Sequence, residues 1–400
     1  MIRNLMLGAA VLASTAALAQ ATSPDDVFLA RVAEMIAGRG EFKGYSPRET
    51  VPGASKVTQY PRANRPVIAG GALTAARDYA AHNNSSAYIV WHDGKIVDEA
   101  YFGKTDATTP IVSKSLAKPI TALAIGRAIV LGKIKSLDQP VSDFIPEWKG
   151  KPQGAMLIRH ILDMRSGLLA QNFDTKADNP WNRSYLDPDH IRYIVERYPL
   201  TDAPGSIYQY SNATSELVAL VIERATKRRY AEFVGTEVLK PIGAPGGKVW
   251  LNRPGGLAHS GCCMMLPAQS WLRMAVLIMN NGVWNGRALL PRGYVEAMRT
   301  GTAQNPHYGL GLWLAGPYLE RRGFQGLNQP GPRVLHSAPY LARDLVLFDG
   351  NSDQVVYIVP SAKLIVLRTG DAPQRTPEWD NVMLPNTLLR GMGYKGLAQQ

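Results

Sequence analysis

Ser115-Leu116-Ala117-Lys118 sets a hydroxyl and an amine three residues apart, directly ahead of Pro119 and an apolar-periodic run. Residues i and i+3 of a helix share a face about one turn apart, so the lysine nitrogen reaches the serine oxygen. Pro119 has no amide hydrogen and is tolerated only in a first turn, which predicts a helix beginning at or just before Ser115. Leu116, Ile120, Leu123, Ala124 and Ala128 then keep helical spacing until Gly132 supplies a stop. A lysine so placed becomes a general base once it loses its proton. A free lysine has a pKa of roughly 10.4, and bringing it to roughly 7.5 takes about 4 kcal/mol of differential interaction, so the pattern demands a buried setting.

The match alone carries little, because the chain has 20 serines and about one Ser-x-x-Lys is expected by chance. Context decides. Pro204-Gly205-Ser206-Ile207-Tyr208-Gln209-Tyr210-Ser211-Asn212 runs straight into a second apolar-periodic helix. A phenol such as Tyr210 beside a lysine relays the serine proton and returns it to the leaving group. Asn212 fits two roles, a donor to substrate or Lys118, or the cap of the helix starting near Ala213. No Gly-x-Ser-x-Gly elbow occurs, which argues against a Ser-His-Asp triad on an α/β-hydrolase sheet.

With 46% hydrophobic and 19% charged residues, 400 residues describe a folded chain able to bury a large core. Met1-Ile2-Arg3-Asn4 leads into the apolar stretch Leu5 to Leu18, ending Ala17-Leu18-Ala19, which is a secretory leader pattern with cleavage after Ala19. The stretch is short for a bilayer span and no second one follows, so the mature chain is expected without an integral membrane segment, exported to the periplasm or secreted. Cys262 and Cys263 are adjacent, closer than ordinary disulfide geometry allows, and read as buried small residues. The formal charge of +12 is spread along the chain with no basic run interleaved with aromatics, so no nucleic-acid partner is expected.

Residues 20–74 read as an N-terminal extension wrapping the body, with a short helix around Val27 to Ile36. Ala87 to Trp91, a turn at Asp93-Gly94, and Ile96 to Phe102 predict a hairpin. Residues 133–285 read as a mostly helical domain, and strands return at His307 to Trp313, Leu345 to Phe348, Val355 to Val359 and Leu364 to Arg368. The expected fold is α/β of the α+β type. Segments 75–132 and 286–400 would supply one antiparallel sheet flanked by helices, with the helical domain inserted between them. Loops 171–188, carrying Trp181 and Tyr185, and 314–345 are long enough to wall a site, although Trp181 and Tyr185 equally suit packing against the body. His259, ahead of Ser260-Gly261-Cys262, suits either a site or a structural role.

With these motifs in this order, the chain resembles the serine-type β-lactamase and penicillin-binding-protein superfamily, particularly its class C-like esterase and amidase branch. Gly132-Lys133-Ile134, Ile158-Arg159-His160-Ile161-Leu162, Ser166-Gly167-Leu168, Asn281-Gly282-Val283-Trp284-Asn285-Gly286 and Tyr308-Gly309-Leu310-Gly311 are similar to that branch in order and spacing. The resemblance implies a β-lactamase/transpeptidase-like fold, Ser115 as acylated nucleophile, Lys118 as base and Tyr210 as second proton carrier, with no metal or organic cofactor. The family's Lys-Thr-Gly triplet is replaced by Phe348-Asp349-Gly350, followed by Asn351. Its backbone role survives: the amides of Asn351, beside Gly350, and of Ser115 would form the oxyanion hole. Its cationic role does not, since Phe348 is neutral and Asp349 repels a substrate carboxylate. The expected substrate is a small molecule or oligomer carrying an ester or a non-peptidoglycan amide, as for nylon-oligomer hydrolases. The alternatives are a β-lactamase or D-alanyl-D-alanine carboxypeptidase, and a non-catalytic binding protein on the same fold.

Overall fold

The two strands Ser85–His92 and Lys95–Tyr101 turn on Asp93 and Gly94, at φ +42° and +88°. That positive-φ pair matches the right-handed twist of the flanking strands. The computed structural model describes residues 23–38, 42–172, 174–326 and 329–396, so the leader assigned to residues 1–19 lies outside the described residues. From this hairpin a six-stranded antiparallel sheet extends through Leu364–Gly370, Gln354–Val359 and Val346–Gly350 to Trp313–Leu314. The pairing of Leu364 with His92 and Arg368 with Tyr88 joins the two distant ends of the chain.

Side-chain alternation makes this sheet two-faced. Ala87, Ile89, Val356, Ile358, Ile365 and Leu367 point to one side, where the helices Lys118–Val130 and Ala268–Met279 pack. Tyr88, Val90, Val355, Tyr357, Leu364 and Val366 point to the other, under the helices Gly70–His82 and Met383–Gly391. Both faces are therefore dry, which explains why the strands read as nearly continuous apolar runs. The helix Lys118–Val130 is buried on every side from Lys118 to Ala128, as its largely apolar surface requires, with Lys118, Thr121 and Arg127 as the polar exceptions.

The helices expected in the middle of the chain form at Ile158–Leu162, His190–Glu196, Asn212–Thr226 and Tyr230–Phe233. The same segment also contributes the strands Gly247–Trp250 and Met264–Leu266 to a second, four-stranded sheet with Arg48–Val51 and Ile111–Val112. The strand expected over His307 to Trp313 is only Trp313–Leu314. Gly311, at φ +71°, turns the chain there, and a Cβ on it would lie 2.9 Å from the carbonyl oxygen of Lys118. A glycine lets this turn press against the start of the helix that carries Lys118. Segment 314–345 holds a short hairpin, Arg321–Gly323 with Arg333–Leu335.

Candidate active site

Ser115 sits on an elbow. The strand Ile111–Val112 runs into Ser113, whose amide donates to Met264 O at 2.8 Å while its Oγ accepts from Met264 N at 3.1 Å. Lys114 then takes φ +50°, a left-handed backbone that costs a side-chain-bearing residue about 1–3 kcal/mol. A 3-10 turn, Lys114–Ala117, leads into the α-helix at Lys118, with Pro119 in its first turn as expected. The elbow exposes Ser115 to a cavity while burying Leu116 and Lys118 behind it.

Lys118 Nζ lies 3.0 Å from Ser115 Oγ, 2.8 Å from Asn212 Oδ1 and 3.0 Å from the Gly261 carbonyl oxygen. Two of those partners can only accept. A neutral amine has two N–H groups, so Asn212 and Gly261 take both and leave the lone pair facing the Ser115 hydroxyl. Burial brings the lysine from its usual 10.5 to about 7, against the opposing pull of the buried Glu216 carboxylate. Asn212 therefore receives a hydrogen bond from Lys118 and does not donate one, and it is the first residue of its helix, not its cap.

Tyr210 is buried against Trp313, Tyr308 and Phe324, with the ammonium position of Lys118 4.7 Å from its ring centre. Burial pushes its phenol well above the ordinary value, and nearby Ser115 draws it back only in part. Among the described residues the Tyr210 hydroxyl has no hydrogen bond within ordinary geometry, and its nearby polar group is Ser115. Burial thus favours the neutral form of both groups, a basic amine and a proton-donating phenol.

Asn351 lines the same cavity as Ser115. Gly350 brings it there: a Cβ at Gly350 would sit 2.7 Å from Leu116 N and 2.9 Å from Ser113 O, so only glycine lets this strand end close on the elbow. Asp349 does not face the cavity. It is buried in an ion pair with Arg322, whose guanidinium lies 3.9 Å from the Trp313 ring centre. The expectation that Asp349 repels a substrate carboxylate is corrected accordingly, because its charge is already matched. The reading that no cation stands beside Ser115 is corrected too. Lys114 lines the cavity, donating to Tyr45 Oη at 2.7 Å, and no carboxylate among the described residues lines it.

The cavity has a volume of about 230 Å³ and is walled by Tyr45, Trp181, Tyr185 and Phe324, with Gln171 and Gln325 linked across it by a hydrogen bond. Trp181 and Tyr185 thus line the cavity that holds Ser115. His259 does not: it is fully buried, stacked between Trp250 at 3.8 Å and His190 at 4.1 Å, and burial, reinforced by His190, holds it neutral at about 4. His190, Glu216 and His259 bring their ligand atoms within 4.8 Å of one another. An imidazole binds a metal through a lone pair in its ring plane, and two rings stacked 12° from parallel cannot aim at one ion, so this cluster does not fit a metal.

Cys262 and Cys263 form a disulfide between neighbours whose Cα atoms are 3.7 Å apart, which corrects the reading of two free thiols. Cys263 stands at φ +66°, and a left-handed residue breaks the alternation that sends adjacent side chains to opposite faces. Cys262 lines the cavity. Tyr45, Lys114, Gly261, Phe324 and this disulfide are the site components that sequence reasoning missed. Only Lys114 carried a local signal, its place beside Ser115 on the elbow.

The Beta-lactamase family model matches residues 72–367. A 6-aminohexanoate-dimer hydrolase of Paenarthrobacter ureafaciens is 22% identical over 255 residues, covering 58% of this chain and 62% of that protein. Esterase EstB of Burkholderia gladioli is 33% identical over 142 residues, 32% of this chain and 36% of the esterase. The chain thus spans less than two thirds of the length of both relatives. Among solved structures, a Bacillus anthracis protein provisionally assigned as a 6-aminohexanoate-dimer hydrolase superposes with a TM-score of 0.67 at 18% identity, covering 93% of this chain and 95% of that one. A penicillin-binding protein from Bacillus halodurans gives 0.51 at 18% identity over 75% of this chain and 95% of its own. The sheet built from both chain ends, with helices on each face and Ser115 at the start of a buried helix, is the β-lactamase/transpeptidase-like architecture, and the chain belongs to the Beta-lactamase family.

Proposed function

We propose that the protein is an exported serine hydrolase that cleaves a carboxylic ester or a non-peptidoglycan amide through an acyl-enzyme. One observation carries this reading: Lys118 Nζ, its pKa brought down to about 7 by burial, lies between two acceptors, Asn212 Oδ1 and the Gly261 carbonyl oxygen, and 3.0 Å from Ser115 Oγ. Ser115 Oγ attacks the carbonyl carbon as its proton passes to Lys118. The amides of Ser115 and Asn351 receive the oxyanion. Neutral Tyr210 protonates the leaving alkoxide or amine and regains a proton from Lys118, and water, deprotonated by the amine so restored, then repeats the sequence to release the acid. The aromatic wall of the cavity suits an apolar acyl group. The relatives' names, a 6-aminohexanoate-dimer hydrolase and an esterase, support the amide and ester classes.

Lys114 supports a second reading. Its ammonium in the cavity offers a point charge to a substrate carboxylate, which keeps β-lactams and D-alanyl peptides in the panel. The experiment is to treat the mature protein with a fluorophosphonate and map the adduct, then assay a short-chain nitrophenyl ester, an amide oligomer and a chromogenic cephalosporin. The adduct is expected on Ser115, with ester or amide turnover exceeding that of the cephalosporin. A dominant cephalosporin rate would move the assignment to β-lactamase. No adduct and no turnover would leave a non-catalytic binding protein.

A further inference from the structure

We propose that the Cys262–Cys263 disulfide is a positioning element for the Lys118 base, locking the peptide that presents the Gly261 carbonyl. This rests on the acyl-enzyme reading above and adds a component to it.

Gly261 supplies one of the two acceptors that aim the lysine lone pair, so the position of its carbonyl sets the direction of the base. The stretch that carries it is held at both ends. Upstream, Ser260 N donates to Glu216 Oε2 at 2.8 Å and Ser260 Oγ donates to Ser215 O at 2.8 Å, fixing it to the helix that begins with Asn212. Downstream, Met264 exchanges two hydrogen bonds with Ser113 on the nucleophile elbow. Between these anchors the chain must pass through Cys263 in the left-handed region, a conformation an ordinary residue leaves when free to do so. The disulfide closes a small ring across the single peptide bond between the two cysteines and removes that freedom. The phenol oxygen of Tyr185, a wall of the cavity, lies 3.3 Å from Cys263 Sγ and 3.5 Å from Cys262 Sγ, so the ring is braced from the substrate side as well. The same five-residue stretch thus ties together the base, the elbow and the pocket wall.

The cavity that Cys262 lines is the route by which a dithiol reductant would reach the bond. Two electrons and two protons pass to the sulfurs, giving two thiols, and the reductant leaves as its own cyclic disulfide. Cys263 is then free to relax and the Gly261 carbonyl loses its register. Displacement of a positioned group by about 1 Å costs about 100-fold in rate, so a loss of tenfold or more, about 1.4 kcal/mol, is expected on the acylation step.

The test measures the rate of fluorophosphonate labelling of Ser115, and kcat and KM on the best ester, for the oxidised protein, for the protein reduced with dithiothreitol, and for a Cys262→Ser/Cys263→Ser variant. Mass spectrometry reports the thiol state and near-ultraviolet circular dichroism the fold. The expected result is a fall in labelling rate and kcat with KM nearly unchanged, a displaced acid limb of the pH profile, and recovery on reoxidation of the wild type only. Reduction or the double substitution leaving labelling, kcat and the limb in place would overturn the proposal. So would a rise in KM alone, which would make the disulfide a pocket wall and nothing more. Absence of labelling in the oxidised protein would instead overturn the hydrolase reading, so the two failures are separable.

Discussion

Lys118→Met is expected to lose as much activity as Ser115→Ala, on the order of 10⁴-fold or more in kcat/KM, and the double variant to lose no more than either single one. The reason is that the two side chains act on one proton. Without the amine, the Ser115 hydroxyl keeps its proton; without the hydroxyl, the amine has nothing to activate. Fluorophosphonate labelling and ester hydrolysis on the three variants check this, and additive losses would sink the shared role. The pH dependence carries the same signature. Since Lys118 works as the neutral amine and its pKa is lowered to about 7, kcat/KM of the wild type should rise with pH and level off above about 7. Stability should follow a linked course. Between about 7 and 10 the unfolded chain holds a proton on Lys118 that the folded chain does not, so folding stability gains with rising pH over that window. Relative to Lys118→Met, which has no such proton, the wild-type Tm should therefore climb as pH is raised through that interval.

How much of this was legible in the sequence depends on whether the physics was local. The Ser-x-x-Lys spacing, the Pro119 constraint and the Asp93-Gly94 turn act within one helical turn or one hairpin, and each holds in the structure. The cavity wall is different in kind. Tyr45 comes from the N-terminal extension, Trp181 and Tyr185 from a short helix, Pro180–Leu186, inside the stretch that reads as a loop, and Phe324 from the hairpin after Leu314. Those three segments meet only through tertiary packing, and nothing in their periodicity announces it. The stretch His307 to Trp313 misled because apolar alternation resembles a strand until the need for Gly311 to turn against Lys118 O is known. The adjacent cysteines misled for a related reason, since the left-handed Cys263 is a backbone state that no residue type at that position signals. Asp349 misled most, because its charge was judged without its partner. Arg322 is 27 residues away, on a hairpin that could not be placed from sequence.

That pair sets the second large effect. Asp349 and Arg322 are both buried, so removing either partner leaves an uncompensated group in the interior, at a cost of about 3–5 kcal/mol. The two losses should nevertheless differ. In Asp349→Leu the guanidinium is left as a fixed, unmatched charge against Trp313 and Phe324. In Arg322→Met the orphaned carboxyl can take one up, and burial already raises its pKa with Arg322 present. The folded variant then binds more protons than its unfolded chain above the ordinary aspartate pKa, so its stability falls as pH rises. Urea unfolding should find Asp349→Leu severely destabilised at both pH 5 and pH 7, and Arg322→Met markedly milder at pH 5 than at pH 7. The double variant Asp349→Leu/Arg322→Met buries apolar side chains in place of the two charges and should recover most of the loss, because a buried pair contributes little beyond its own desolvation. A double variant as unstable as the worse single one would mean that Arg322 holds the strand Val346–Gly350 through its contacts with Trp313 and Phe324 more than through its charge. In that case the Gly350 approach to the Ser115 elbow should weaken with it, and labelling of Ser115 should slow in the still-folded fraction.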